Sequence, residues 1–454
     1  MGKEITRWRE DIFNILNMIR KRKFKGYTGI AIKNSFYQFM TTVITNLSSL
    51  VLLVILARIL MPELFGLYSL ALTTILLFVT LSNLGVGQSL VRFISRELGK
   101  RKKAKAKAYS IYFLKIKLVL MIGSGVILFI LSRFIAETYF NKPIFLALLV
   151  GPLYILFAGL VGFIQLYFQA ANNFKIPFFV NLFSQALKLI LVPILIIYSL
   201  KMFSSTEVQL LSITGSLIIM WILTLMFFIF IGRKKLSYLY VKPEKLSSGE
   251  KKTLKKFILR MSALIFSGLF FGYIDIFLLG HFVLADFIGY YRVAFSLIEV
   301  AGPLLILTTV LFPIFSRLKG RKLERVFKKA LRIMFPFSVL LFAFILIFAP
   351  LIIRIIYGVE YSNSASILRL LSPLIISLPL VYLYSTYFIS QAKIQIVTKL
   401  LVISTIMNVL LNYFLIVWLI NYSQLAAVYG VSAATIISRY FYLFGLMYYK
   451  RKIK

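Results

Sequence analysis

The sequence predicts an all-α integral membrane protein: twelve transmembrane helices in two parallel-repeat six-helix bundles around a central cavity. Three observations predict it. Of 454 residues, 60% are hydrophobic and only 15% charged, with a mean hydropathy of +0.91, which is more apolar surface than a water-soluble core can hide. Runs such as "SSLVLLVILARIL" and "FFVNLFSQALKLILVPILIIYSL" are continuously apolar, as helices in lipid are and transmembrane strands are not. Finally, "ARILMPELFGLYSLAL" at 57–72 is echoed by "GHFVLADFIGYYRVAF" at 280–295. Setting Gly66 over Gly289 puts Glu63 over Asp286, Tyr68 over Tyr291 and Ala71 over Ala294, at an offset close to half the chain.

The elements follow in order. Residues 1–35 form a basic segment in which Trp8, Ile12, Ile15, Leu16 and Ile19 recur at helical spacing among Lys and Arg, the pattern of an amphipathic helix lying on the inner leaflet. No cleavable signal peptide is evident there. Each stretch of about 20 apolar residues can cross about 30 Å of hydrocarbon. Spans near 36–59, 66–90, 109–132, 143–169, 174–198 and 210–231 make an N-terminal lobe, 36–231. A basic linker, 232–256, follows as a hinge candidate, and in it Ser247 and Glu250 are spaced as a capping box. Spans near 257–280, 287–315, 330–353, 366–390, 394–420 and 425–449 make a C-terminal lobe, 257–449, before a basic tail, 450–454. Six spans per half bring both halves into the membrane in the same orientation, so the repeat is parallel, about an axis along the membrane normal.

A net charge of +39 would suggest nucleic acid in a soluble protein, but position argues otherwise. "RKRKFK", "GKRKKAKAK", "GRKKLSYLYVKPEKLSSGEKKTLKKF", "SRLKGRKLERVFKK" and "KRKIK" all fall on one side of a twelve-span arrangement. The positive-inside rule makes that side the cytoplasm, with both termini there and the chain multi-pass in the cell membrane. No nucleic-acid partner is expected. Zero cysteines and a lone His281 leave no disulfide, thiolate nucleophile or evident metal site. No "GxxxxGK[ST]" pattern is present for direct ATP hydrolysis, and the short outer connections leave no loop for a catalytic carboxylate constellation. The expectation is a transporter, not an enzyme, working as a monomer without a cofactor; coupling to Na+ or H+ stays open.

"LARILMPELFGLYSLAL", "NLGVGQSLVRFISREL", "YIDIFLLGHF…IGYY", "MNVLLNYFLIVWLI" and "AAVYGVSAATIIS" resemble, in order, the recurring phrases of the polysaccharide-biosynthesis flippases of the multidrug/oligosaccharidyl-lipid/polysaccharide exporter superfamily. The resemblance covers nearly the whole chain. It implies a V-shaped pair of six-helix bundles that alternates access and moves polyprenyl- or dolichyl-(pyro)phosphate-linked oligosaccharide from the inner to the outer leaflet. A multidrug cation antiporter or a peptidoglycan-precursor flippase of the same superfamily are the alternatives.

An anionic cargo with an apolar tail calls for buried cations, and charges inside spans are costly enough to mark function. The candidates for substrate contact are Arg58, Lys188, Arg292, Arg369, Lys399 and Arg439. Arg58 is read either as snorkelling to the headgroups or as lining the outer mouth; Lys399 and Arg439 either snorkel or line the cavity. Asp275 and Glu299 are candidates for ion coupling or charge pairing. Asp275 and Arg292 lie at equal depth on consecutive antiparallel spans, which predicts an ion pair between them, with Lys188 a possible partner for Glu299 across the seam. Asn408 and Asn412 are read with other amides as interhelical glue, with contact to sugar hydroxyls as the alternative for some of them.

Overall fold

A computed structural model describes residues 26–233, 235–299, 311, 315 and 318–452; its secondary structure is helical, with no strand among the described residues. Residues 1–25 with the amphipathic pattern, most of the second half of the eighth span and the last two residues of the tail lie outside them.

Helix α1, Gly26–Leu81, has 56 residues and would run about 84 Å if straight, more than twice the hydrocarbon thickness. It breaks at Met61 (φ 59°, ψ 169°) beside Pro62, whose ring clashes with the preceding turn and which has no N–H to donate. "LMPELF" is therefore the turn between the first two spans. The second span breaks again at Ser82–Gly85, where Gly85 takes φ 66°, and continues as α2, Val86–Gly99. Helices α3 (Lys103–Arg133), α4 (Phe145–Leu149), α5 (Gly151–Ala170), α6 (Lys175–Met202) and α7 (Thr206–Gly232) complete the first half. The second half holds α8 (Ser248–Phe282), α9 (Ala285–Glu299), α10 (Gly320–Ile356), α11 (Asn363–Leu371), α12 (Leu374–Ser390), α13 (Ile394–Leu419) and α14 (Gln424–Lys452). Ser247 and Glu250 form the capping box expected at the start of α8. Nine helical stretches among the described residues are long and apolar enough to cross a membrane, the kinked α1 counting once.

The repeat is visible in the packing. In the first half α6 packs on α1 and α7, and α5 on α3 and α7; in the second α13 packs on α8 and α14, and α12 on α10 and α14. The halves meet where α1 crosses α9. A Cβ on Gly66 would stand 1.7 Å from the Ala285 carbonyl oxygen, and one on Gly289 2.4 Å from that of Pro62. Pro62 corresponds to Ala285 in the repeat as Gly66 does to Gly289, so each half offers the other the same pair of residues, as across a two-fold axis.

The two ends of the molecule differ. At the end carrying the Met61 break, which is poor in Lys and Arg, one apolar core runs through both halves, from Leu56, Phe65 and Ile75 to Ile288, Tyr291 and Leu368. Among the described residues the basic end holds two cores. One comprises Leu90, Phe113, Phe168 and Phe228 with Leu254 and Ile258 of α8, the other Phe327, Leu383, Phe388 and Leu446.

The linker read as a hinge is tied to the first half. Leu236 and Tyr238 are buried in its basic-end core, the Glu244 amide donates to the Ala104 carbonyl at 3.4 Å, and Glu250 pairs with Lys105. The start of α8 is held there too, with Phe257 edge-on to Phe93 and under the Arg92 guanidinium.

Candidate functional site

The structure separates the predicted cations into kinds. Arg58 is exposed, and its Nε and Nη2 donate to the carbonyls of Ile356 and Ile355 at 2.8 and 2.5 Å. It caps the C-terminus of α10 across the seam, where the helix dipole favours a positive charge, rather than snorkelling alone. Arg369 is exposed and donates to the Leu346 carbonyl of α10 at 3.2 Å. Lys399 is exposed on α13. Lys188 is half-buried on α6, and its ammonium donates to Ser49 Oγ of α1 at 3.1 Å. In this structure Glu299 lies against Arg292 instead.

Asp275 and Arg292 do not pair. Asp275 is buried, and its Oδ2 accepts from Tyr291 Oη at 2.6 Å and Thr435 Oγ1 at 2.7 Å while its Oδ1 accepts from Asn412 Nδ2 at 2.7 Å. Arg292 lies 3.5 Å from Glu299, two turns along its own helix, with the hydroxyls of Tyr68, Tyr273 and Tyr357 as electrostatic neighbours. Equal depth on two helices does not fix which way their side chains face. Successive helical residues turn by about 100°, so with Tyr291 aimed at Asp275, Arg292 looks elsewhere. Arg439, half-buried on α14, is the cation in the electrostatic surroundings of both Asp275 and Tyr291.

Around Asp275 the structure assembles oxygens from α8, α9, α13 and α14. Asn408 Nδ2 donates to Thr435 Oγ1 at 3.4 Å, and Asn412 Nδ2 is spent on the carboxylate. Among the described residues the amide oxygens Asn408 Oδ1 and Asn412 Oδ1 are buried and accept no hydrogen bond, nor does Ser404 Oγ donate or accept one a turn away on the same stripe of α13. Unsatisfied acceptors of this kind are uncommon in interiors. Sequence reasoning took the two asparagines as glue and passed over Thr435 altogether.

It also passed over Lys117, which is 1% exposed. Its ammonium donates to the Ser82 carbonyl and hydroxyl, each at 3.0 Å, and to Asn83 Oδ1 at 2.5 Å, filling the acceptors freed where the second span breaks. The clue lay in "LSNLGVG" facing "LKIKLVL", a helix break opposite a lysine within a span.

The profile of the polysaccharide biosynthesis protein family matches residues 31–319. The chain belongs to that family. No curated protein matches it significantly. An inward-facing multidrug resistance MATE family transporter of the MOP superfamily is similar to it at TM-score 0.70 and 18% identity, over 88% of this chain and 93% of that one. The outward-facing conformation of such a transporter aligns at TM-score 0.58 and 18% identity, over 94% and 95%. A MOP superfamily transporter from Pyrococcus furiosus, described by its reversed pocket polarity, aligns at TM-score 0.57 and 17% identity over 95% and 98%. This member of the polysaccharide biosynthesis family thus has the fold of the MOP transporters and is a multi-pass membrane protein.

Proposed function

We propose that the chain is an alternating-access flippase that carries a polyprenyl- or dolichyl-(pyro)phosphate-linked oligosaccharide from the inner to the outer leaflet of the cell membrane. The basic end, with both termini, is cytoplasmic. The seam joined by one core at the opposite end and divided between two cores at the basic end supports a state that receives cargo from the cytoplasmic leaflet. The observation that carries the reading is Lys188: a cation inside a span, half-buried, whose hydrogen-bond partner among the described residues is a single neutral hydroxyl, that of Ser49. An ammonium has three donors, of which Ser49 takes one, and an anionic phosphate entering from the seam offers acceptors for the others.

The expected assay is transfer of a fluorescent polyprenyl-pyrophosphate-linked sugar across vesicles containing the purified protein. Lys188→Ala should cut the rate at least about tenfold, the order of a lost charge-assisted contact of roughly 1.5–3 kcal/mol, while Lys188→Arg retains part of it. Transfer at the rate of protein-free vesicles would reject the flippase; undiminished transfer by Lys188→Ala would reject the site.

The oxygens around Asp275 support coupling to Na+ rather than H+. A proton would serve a single oxygen. One carboxylate with the neutral oxygens of Asn408, Asn412 and Thr435 suits a hard monovalent cation, which takes oxygen ligands. A cation held there would neutralise Asp275 and tie α8 to α13 and α14. Added NaCl, but not choline chloride, should raise the melting temperature of the wild-type protein and leave Asp275→Asn unchanged, since only the folded state binds. Equal response in the two proteins would remove the site from the mechanism.

A further inference from the structure

Two adjoining cavities lie at the basic end of the first half, away from the seam. The larger, about 530 Å³, lies between α5 and α7 and is lined by Ile164, Phe168, Met226, Ile229 and Phe230, with Arg233 at the last turn of α7. That volume is within the range of sites that hold small organic ligands. Met226, Ile229 and Phe230 are among the most exposed apolar side chains of the protein, so this chamber is open to hydrocarbon along α7. The smaller, about 390 Å³, is walled by Ser95, Lys103, Asn172 and Lys235. Leu236 lines both.

We infer that this pair of cavities is a binding site for an anionic glycerophospholipid of the inner leaflet, an acyl chain in the α5–α7 chamber and the headgroup phosphate among Arg233, Lys235 and Lys103. An apolar chamber on the membrane side and a basic one on the aqueous side share one wall residue, Leu236. A lipid with an apolar tail and an anionic head is the molecule with that division at that depth. Basic residues alone are common at this interface; here they stand at the mouth of a cavity that can take a chain. The aqueous wall is the linker that Tyr238 and Leu236 hold against the first half, so an occupied site would brace linker, α5 and α7 together. Each basic side chain near a headgroup adds about fivefold in affinity.

The test is native mass spectrometry of the full chain released from mixed phosphatidylglycerol and phosphatidylcholine micelles. The wild-type protein should retain phosphatidylglycerol in preference to phosphatidylcholine. Lys103→Gln with Arg233→Gln and Lys235→Gln should lower that retention at least about fivefold. Removing the same number of charges from the exposed start of α8, by Lys251→Gln, Lys252→Gln and Lys255→Gln, should leave it unchanged. Ile164→Trp, which fills the apolar chamber and keeps every charge, should lower retention of both lipids. Equal loss in the two triple variants would mean a diffuse field and no site. Equal retention of the two lipids, or an Ile164→Trp variant that binds as the wild type does, would overturn the proposal as well.

Discussion

The two ends of this molecule solve opposite problems with the same repeat. At the basic-poor end the halves share one core and meet backbone to backbone at Gly66 and Gly289. At the basic end each half keeps a core of its own, and the described contact between them passes through the first turns of α8. A seam made of small residues can come fully together or fully apart, because helices without side chains between them have few intermediate fits. A seam made of one helix held by each half at a different height cannot part. The difference assigns the closing surface to the Met61 end, and the permanent connection to α8, anchored by Phe257 in the first half and by Asp275 in the second.

Breaking the first surface should have the largest effect. An alanine at 66 puts its Cβ within 1.7 Å of a carbonyl oxygen that cannot rotate away, and one at 289 within 2.4 Å. Overpacking of this kind costs about 1–3 kcal/mol, against the joined state only, a shift of roughly five- to 150-fold towards the parted one. Spin labels at Met61 and Leu284, both exposed, should report longer distances in Gly66→Ala than in Gly289→Ala, and in both than in the parent. Unchanged distances would mean that this end does not open as a unit.

Next in size is the polar trim of the same surface. Tyr361 is fully buried and donates to the Ala57 carbonyl at 2.8 Å, one residue before Arg58 reaches the carbonyls that end α10. Tyr361→Phe leaves one acceptor unpaired, at a cost of about 1 kcal/mol. Arg58→Gln loses a charge at a helix C-terminus, roughly 0.3–1 kcal/mol. Each should shift the populations read by the same labels about two- to fivefold towards the parted state, and a shift in Arg58→Gln as large as that in Gly66→Ala would contradict the assignment of this arginine to helix capping.

What the sequence made legible follows from which of its signals are one-dimensional. Apolar length, the Pro62 break, the Ser247 and Glu250 cap and the Gly66/Gly289 echo are each written along the chain, and the spans and the repeat could be read from them, but not that Gly66 and Gly289 meet across the seam. The charge partners could not. Whether Asp275 meets Tyr291 or Arg292 depends on the rotation of α9 about its own axis, which a hydrophobic surround on all sides leaves unmarked. Lys117 was hidden for another reason: near the basic end a lysine that fills a helix break counts the same as one that faces lipid headgroups. The role of Arg58 needed the end of α10, almost 300 residues away, to be known.

The smallest effect is expected where the linker is strapped at the basic end. Glu250 there accepts from the Lys105 ammonium and from the Ser247 amide, and these bonds hold its carboxyl below the ordinary value of 4.5. A group whose folded value is depressed contributes its stability above the unfolded value and loses it as pH falls through the folded one. The strap is therefore complete at neutral pH and loosens only in acid below about 4.5. The pair is partly exposed, so salt screens it, and surface pairs of this kind contribute little to overall stability. Glu250→Gln should leave the melting temperature within about 2 °C of the parent, but it should speed amide exchange over 244–252, where the cap and the strap meet. The parent should show the same acceleration in 1 M salt and, relative to the intrinsic exchange rate, as pH falls through the folded value below 4.5, and the variant no further change in either. Exchange that stays slow in the variant would show that Tyr238 and Leu236, buried beneath, hold the linker without the ion pair, and would move the anchor of the basic end from charge to apolar packing.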